Sequence, residues 1–241
     1  MPEFHAQMPV VLTGTIIPNV AGAVSLTPEA RLAEYRHVVQ SCQQFAPVIF
    51  LENSNYPLER YPEFADSPRL RVHRFPPSGN PEKGKGFQEF EMLDKWVLTE
   101  PKPPRRWLKL TGRYDLLNMS AILKECGSEQ KYSLLIDQLR KQKMARTYMF
   151  CIQTEFYRTH LANLYRQCDD RTGEWIERVL FRKLETIPAG QIRLFKTQPL
   201  LRARAGSTGL AFPSGKFQWS IKQNLRRLNQ LMDERYLHYI P

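Results

Sequence analysis

The sequence predicts an α/β domain with a mostly parallel central sheet flanked by helices, followed by a basic, helical C-terminal segment. Three observations predict it. Apolar runs no longer than a strand, Val10-Val11-Leu12 and Val48-Ile49-Phe50-Leu51, flank a helix-period stretch carrying Leu32, Tyr35, Val38, Val39 and Cys42. A β-α-β order of this kind lays strands in parallel beneath covering helices. At 241 residues, 42% of them hydrophobic, the chain suits one such domain. Near its end, Ile221, Leu225, Leu228 and Leu231 recur at helical spacing among Lys222, Arg226 and Arg227.

Taken in order, residues 10–12 form a buried strand opening at Thr13-Gly14-Thr15, with Pro9 tolerated at its start. Thr27-Pro28-Glu29 is a helix start: a Thr cap, proline at the first helical position and an acid in the first turn. Residues 48–51 form a second strand ending at Glu52-Asn53-Ser54-Asn55, and residues 70–75 alternate as a third, more peripheral one. A turn-rich loop over 76–81 leads through Lys83-Gly84-Lys85-Gly86 to a helix burying Phe87, Phe90, Leu93, Trp96 and Val97. After the proline break at 101–104, residues 107–110 form a strand leading into Thr111-Gly112-Arg113-Tyr114-Asp115. Residues 119–125 and 133–140 read as short helices and 147–152 as a strand. Residues 155–165 read as a helix, 172–184 as a strongly amphipathic one, and 199–215 as a polar, mobile connection. The expected division is a ligand-binding domain over 1–190 with residues 191–241 packed on it.

Thirty-five Lys plus Arg against 24 Asp plus Glu leave a net charge of +11. Such a field draws polyanions: nucleic acid, anionic headgroups or phosphorylated substrates. The excess lies towards the C-terminal third, in Arg193, Lys196, Arg202, Arg204, Lys216, Lys222, Arg226 and Arg227. Phe217, Trp219, Tyr236 and Tyr239 interleave with these, as a membrane-surface helix, a nucleic-acid stacking surface or a packed tail would have it. Cys42, Cys126, Cys151 and Cys168 stand far apart and read as buried free thiols. The five histidines are scattered and form no metal-ligand spacing. No apolar run approaches the roughly 20 residues of a membrane span, and the first residues lack the basic-then-apolar order of a secretion signal. A cytoplasmic location is the expectation.

Ligands of parallel sheets collect at the carboxyl ends of the strands, which directs attention to the loops around Thr13, Glu52 and 76–86. Lys83-Gly84-Lys85-Gly86 before a helix offers close backbone approach, free amides and two mobile cations to an anion; the plainer reading is a solvated basic turn. Arg113, beside Gly112 at a strand end, is placed to fork onto phosphate or carboxylate, or is an ordinary surface arginine. Glu52 stands where acidic residues receive ribose hydroxyls, or has a structural role. Glu174 and Glu177 share a face near a helix start. Either is a candidate general base, or both complement the helix dipole.

Together these pieces resemble the Rossmann-type GT-A fold of glycosyltransferases, especially small bacterial proteins encoded with capsule and lipopolysaccharide genes. The resemblance rests on residues 10–15, the strand ending at Glu52, Lys83-Gly84-Lys85-Gly86-Phe87-Gln88-Glu89, Trp107-Leu108-Lys109-Leu110-Thr111-Gly112-Arg113-Tyr114, and the segment from Glu174 to Glu177. It implies a transferase in which Thr13, Gly14, Thr15, Glu52, Asn53, Lys83, Gly84, Lys85, Gly86, Thr111 and Gly112 face a phosphate-activated sugar donor. Glu177 or Glu174 would then activate a glycan or lipid-linked glycan acceptor. GT-A enzymes usually carry an Asp-x-Asp pair after the fourth strand to hold a divalent metal, and here that place reads Thr111-Gly112-Arg113-Tyr114. Arg113, helped by Lys83 and Lys85, is therefore expected to neutralise the leaving phosphate without a metal or other cofactor. A CMP-linked sugar or a phosphoribosyl donor suits such a site. An anionic inner-membrane surface is a further expected partner and nucleic acid is not, although a nucleic-acid-binding or processing protein and a non-catalytic binding module are the competing readings.

Overall fold

The computed structural model describes residues 7–19, 26–202 and 219–226. Its sheet grows outward from β1 (Val10–Gly14), which pairs in parallel with β2 (Val48–Glu52) on one side. Beyond β2 lies β3 (Leu70–Arg74), also parallel. On the other side of β1 stands β4 (Arg106–Thr111), again parallel. Past β4 the direction reverses. There β7 (Met144–Gln153) runs antiparallel to both β4 and β6 (Leu134–Leu139), and β8 (Ile192–Arg193) closes the edge beside β6. The order β3-β2-β1-β4-β7-β6-β8 is a mostly parallel sheet with an antiparallel flank.

Both faces are covered, which is why the central strands read as unbroken apolar runs. On one face Val10, Leu12, Phe50, Leu108 and Leu110 pack against α1 (Pro28–Gln43) and α3 (Met119–Ser128). On the other, Val11, Ile49, Trp107 and Phe150 pack against α2 (Lys85–Thr99) and α5 (Ile176–Glu185). The start of α1 is as expected: Thr27 Oγ1 accepts the Ala30 amide at 3.2 Å and Pro28 follows it. All four cysteines are buried free thiols, and burial pushes those of Cys42 and Cys168 up to about 12.

Three expected elements are corrected. Residues 133–140 contribute strand β6, because Leu134, Leu135 and Ile136 are fully enclosed on both faces against β7; a short apolar run carries no period that separates strand from helix. The helix expected over 155–165 is broken. A short α4 (Thr154–Phe156) passes into a π turn over Tyr157–Leu161 and stops at Asn163, whose φ is 65°. The buried Asp94 carboxylate causes this, accepting both the Tyr157 hydroxyl at 2.5 Å and the Asn163 amide. Helix α5 begins at Ile176 rather than 172, since Gly173 turns at a φ of 76° and residues 169 and 174 bridge each other. A small second sheet, β5 (Asp115–Leu116) with β9 (Leu201–Arg202), had no signal in the sequence.

Four of the described C-terminal basic residues have internal partners. Arg193 and Lys196 pair with Glu129, and Arg202 pairs with Asp115. Residues 219–226 are helical, and Arg226 forks onto Asp137 of β6 at 2.9 and 2.5 Å with both side chains buried. Trp219 donates to the Gln198 carbonyl at 2.8 Å. Arg204, Lys216, Phe217, Arg227, Leu228, Leu231, Tyr236 and Tyr239 lie outside the described residues. Among those described, no helix is long and apolar enough to cross a membrane.

Candidate active site

Strands β1 and β4 end side by side, and their connections leave in opposite directions, to β2 and away from it. A crevice opens at such a point. Because β7 is antiparallel, its beginning arrives at the same edge, so residues 145–148 face the ends of β1 and β4. The resulting cleft has a volume of about 420 Å³.

Its floor is a buried ion pair. Lys109 follows Trp107 on the α2-facing side of β4 and is wholly enclosed. Its three ammonium hydrogens have three acceptors: Glu89 Oε1 at 2.7 Å, Thr111 Oγ1 at 3.0 Å and the Thr147 carbonyl at 2.7 Å. Burial draws the Lys109 pKa down, and the charge of Glu89 opposes that. Glu89, on α2, also accepts the hydroxyls of Thr13 and Thr111. Across the floor Thr147 Oγ1 donates to Glu177 Oε1 at 3.0 Å. Burial raises the Glu177 pKa, and the nearby charges of Glu89 and Asp170 add to the rise. One chain of hydrogen bonds thus joins the two carboxylates through Thr147 and Lys109.

One wall is cationic. Arg31 of α1, Lys85 at the start of α2 and Arg113 beyond β4 all line the cleft. Burial first, then the charges of Arg31 and Arg113, lower the Lys85 pKa, and burial and Arg113 lower that of Arg31. Three cations held within each other's field favour an anion between them. Arg113 keeps one carboxylate partner, Glu34 at 3.0 Å. Gly112 allows this approach: its amide bonds the Thr13 carbonyl at 2.8 Å, where a Cβ would stand 2.8 Å from the same oxygen. Opposite lie Leu139, Met144, Ala145 and the Tyr114–Tyr148 ring pair, 5.8 Å between centroids.

Of the residues singled out in the sequence, Thr13, Gly14, Thr15, Lys85, Thr111, Arg113 and Glu177 meet at this cleft. The others do not line it. Glu52 is fully buried behind it, accepting the amides of Ile16, Ser54 and Tyr56, so it organises the loop after β2 instead of facing a ribose. Asn53 accepts Thr15 Oγ1 at 2.5 Å and steadies the cleft's rim from outside. Lys83 lies over the Phe87 ring, 5.0 Å from its centroid. Gly84 and Gly86 serve packing: Cβ atoms there would collide with Asp170 and Ile176. The amide of Lys85 at the start of α2 is bonded by the Asp170 carboxylate, so this helix start already has its anion. Gly112 acts through backbone alone. Glu174 pairs with Arg182 at the surface.

Arg31 and Tyr148 went unread, and Gln88, Glu89 and Lys109 stood within quoted motif stretches without a role of their own. A lysine in the apolar strand Trp107-Leu108-Lys109-Leu110 was the visible signal for one of them, since a lysine is almost never fully buried unless paired. After β4 the chain reads Thr111-Gly112-Arg113, and the cleft's carboxylates are Glu89, already bound to Lys109, and Glu177. Among the described residues no three His, Cys, Asp or Glu side chains gather as a metal site. The cleft therefore holds no all-protein divalent-ion site among the described residues.

Solved structures that superpose on the chain include the galactosyltransferase LgtC in complex with donor and acceptor sugar analogues. Its TM-score is 0.56 at 10% identity, covering 97% of this chain and 84% of that one. An active-site variant of LgtC superposes with a TM-score of 0.50 at 9% identity, covering 79% and 74%. The glycosyltransferase GlyE of Streptococcus pneumoniae TIGR4 aligns at a TM-score of 0.49 and 8% identity over 80% of this chain, which spans 46% of GlyE. No protein-family model and no curated protein matches the sequence. The fold is GT-A-like, that of glycosyltransferases, as the motifs led one to expect. At such identities the likeness fixes the fold and leaves the chemistry to the residues of the cleft.

Proposed function

We propose that the protein is a glycosyltransferase that moves a sugar from a phosphate-activated donor onto a hydroxyl of a glycan. The observation that carries the reading is the gathering of Arg31, Lys85 and Arg113 on one wall of a cleft whose floor ends in Glu177. In the transfer, the bond from the anomeric carbon to the phosphate oxygen breaks and that oxygen keeps the electron pair. The cationic wall neutralises the charge as it develops. The acceptor oxygen bonds to the anomeric carbon, and its proton passes to Glu177.

Three fixed cations can take over the neutralising role of a metal ion, so the transfer is proposed to be metal-independent. A donor with a single phosphate at the anomeric link, such as a CMP-activated sugar, fits best, and a phosphoribosyl donor is the other candidate. The acceptor is proposed to be a bacterial surface glycan or its lipid-linked precursor. Ile221 and Leu225, exposed one helical turn apart on a basic chain, support contact with an anionic inner-membrane surface. The test is a thermal-shift screen against nucleotides, nucleotide sugars and phosphoribosyl pyrophosphate, with and without EDTA. A ligand at 100 times its Kd adds about 2.7 kcal/mol of stability. Stabilisation that survives EDTA is expected, and stabilisation that needs restored magnesium would remove the metal-free mechanism.

A further inference from the structure

Resting on that donor reading, we infer that Gln88 and Glu89, consecutive residues on α2, form the subsite that holds hydroxyls of the transferred sugar. Two independent observations meet there. Glu89 lines the cleft with its Oε1 already engaged by Lys109, Thr13 and Thr111, a set of bonds that fixes the carboxylate in place while leaving it partly open to the cleft. Gln88 lines the same cleft at 4% exposure, and its Nε2 has no hydrogen-bond partner. A buried amide donor without a partner costs stability and calls for an explanation.

A sugar supplies what both lack, since each hydroxyl is at once a donor and an acceptor. The neighbouring pair offers one acceptor and one donor, the combination that reads vicinal hydroxyls. Its place fits the reaction order. The cationic wall takes the phosphate and Glu177 takes the acceptor's proton. Glu89 is joined to Glu177 through Lys109 and Thr147, and Tyr114 and Arg113 line the same cleft. The group between leaving phosphate and incoming acceptor is the sugar in transit. Lys109 is then a positioning residue that anchors Glu89 from beneath.

The test compares Kd values by calorimetry for UDP, CMP and pyrophosphate with those for UDP-hexoses, a CMP-sugar and phosphoribosyl pyrophosphate. In the wild type the sugar-bearing form of the preferred pair should bind more tightly than its parent. Glu89→Gln and Gln88→Met should each weaken the sugar-bearing form about tenfold, the loss of one or two hydrogen bonds, while leaving the parent's Kd unchanged. Arg113→Ala should weaken both. Gln88→Met removes the orphaned amide without opening a cavity, so the unliganded variant should melt no lower than the wild type; it also carries the test if Glu89→Gln fails to fold. Equal binding of both forms by the wild type, or variants that retain the sugar's advantage, would overturn the subsite alone. A parent Kd that weakens in step with the sugar-bearing form, or a lower melting temperature for Gln88→Met, would likewise assign these residues to structure. Binding of none of these compounds by the wild type would bring down the donor reading and the subsite with it.

Discussion

Glu177 and Lys109 sit beside the same cleft, and burial moves them in opposite directions. Loss of water disfavours charge, so the Glu177 carboxyl is shifted up and the Lys109 ammonium down. A base must be deprotonated to act, so the acid limb of kcat/KM should lie above the ordinary glutamate value of about 4.3. Glu177→Gln should lower kcat by roughly 100- to 10,000-fold, the usual share of a general base, with donor Kd unchanged. Its effect on stability has the opposite sign. A raised carboxyl pKa favours folding below the unfolded value and loses that advantage as pH climbs through the folded one. Glu177→Gln should therefore melt higher than wild type near pH 7, and melting curves at falling pH should show the gap closing. Lys109→Met leaves Glu89 beside an apolar floor, and denaturant unfolding should show a loss of about 3 kcal/mol, the lower end for breaking a buried pair because Glu89 is partly open to water.

The start of α2 shows how an element acquires a function different from the one its local sequence suggests. Gly84 has a φ of 98°, and a Cβ there would meet Asp170. Gly84→Ala should cost about 1–3 kcal/mol, measured by equilibrium unfolding, and should loosen the turn at 170–172 from the helix start. The lysine-glycine motif was legible as a loop before a helix, but the capping of that helix start by Asp170 was not, because Asp170 lies far along the chain. The same division runs through the fold. The cap at Thr27 and the runs that became β1 and β2 were readable because their causes are local: a side chain three residues from the amide it caps, and burial on both faces. Strand β6 and the β5–β9 pair were not, since each is decided by a partner strand distant in sequence. Arg113, Lys85 and Glu177, read from their chemistry at element ends, line one cleft. Glu89 stood in the sequence only as the end of the Lys83–Glu89 stretch, because the residue that defines it, Lys109, belongs to another strand.

At the scale of the whole molecule, the described C-terminal helix is clamped to the antiparallel flank of the sheet by Arg226 and Asp137. Arg226→Met alone should cost about 3–5 kcal/mol by stranding Asp137, whereas the double variant with Asp137→Leu should recover most of that. A double-mutant cycle in urea measures the coupling. Of the basic residues that invited a polyanion reading, Arg193, Lys196, Arg202 and Arg226 are internal wiring of this kind. The reversal of direction at β7 has its own consequence. It makes the cleft from two separately encoded halves: a cationic side from the parallel strands, α1 and the start of α2, and an opposite side from the hairpin between Leu139 and Met144. Exchanging the turn at 140–143 for another of different length would reshape what may enter opposite the cations while leaving the cations where they are. On the proposed reading, selectivity for the incoming partner can then drift, or be engineered, without re-inventing the half that would handle the activated one.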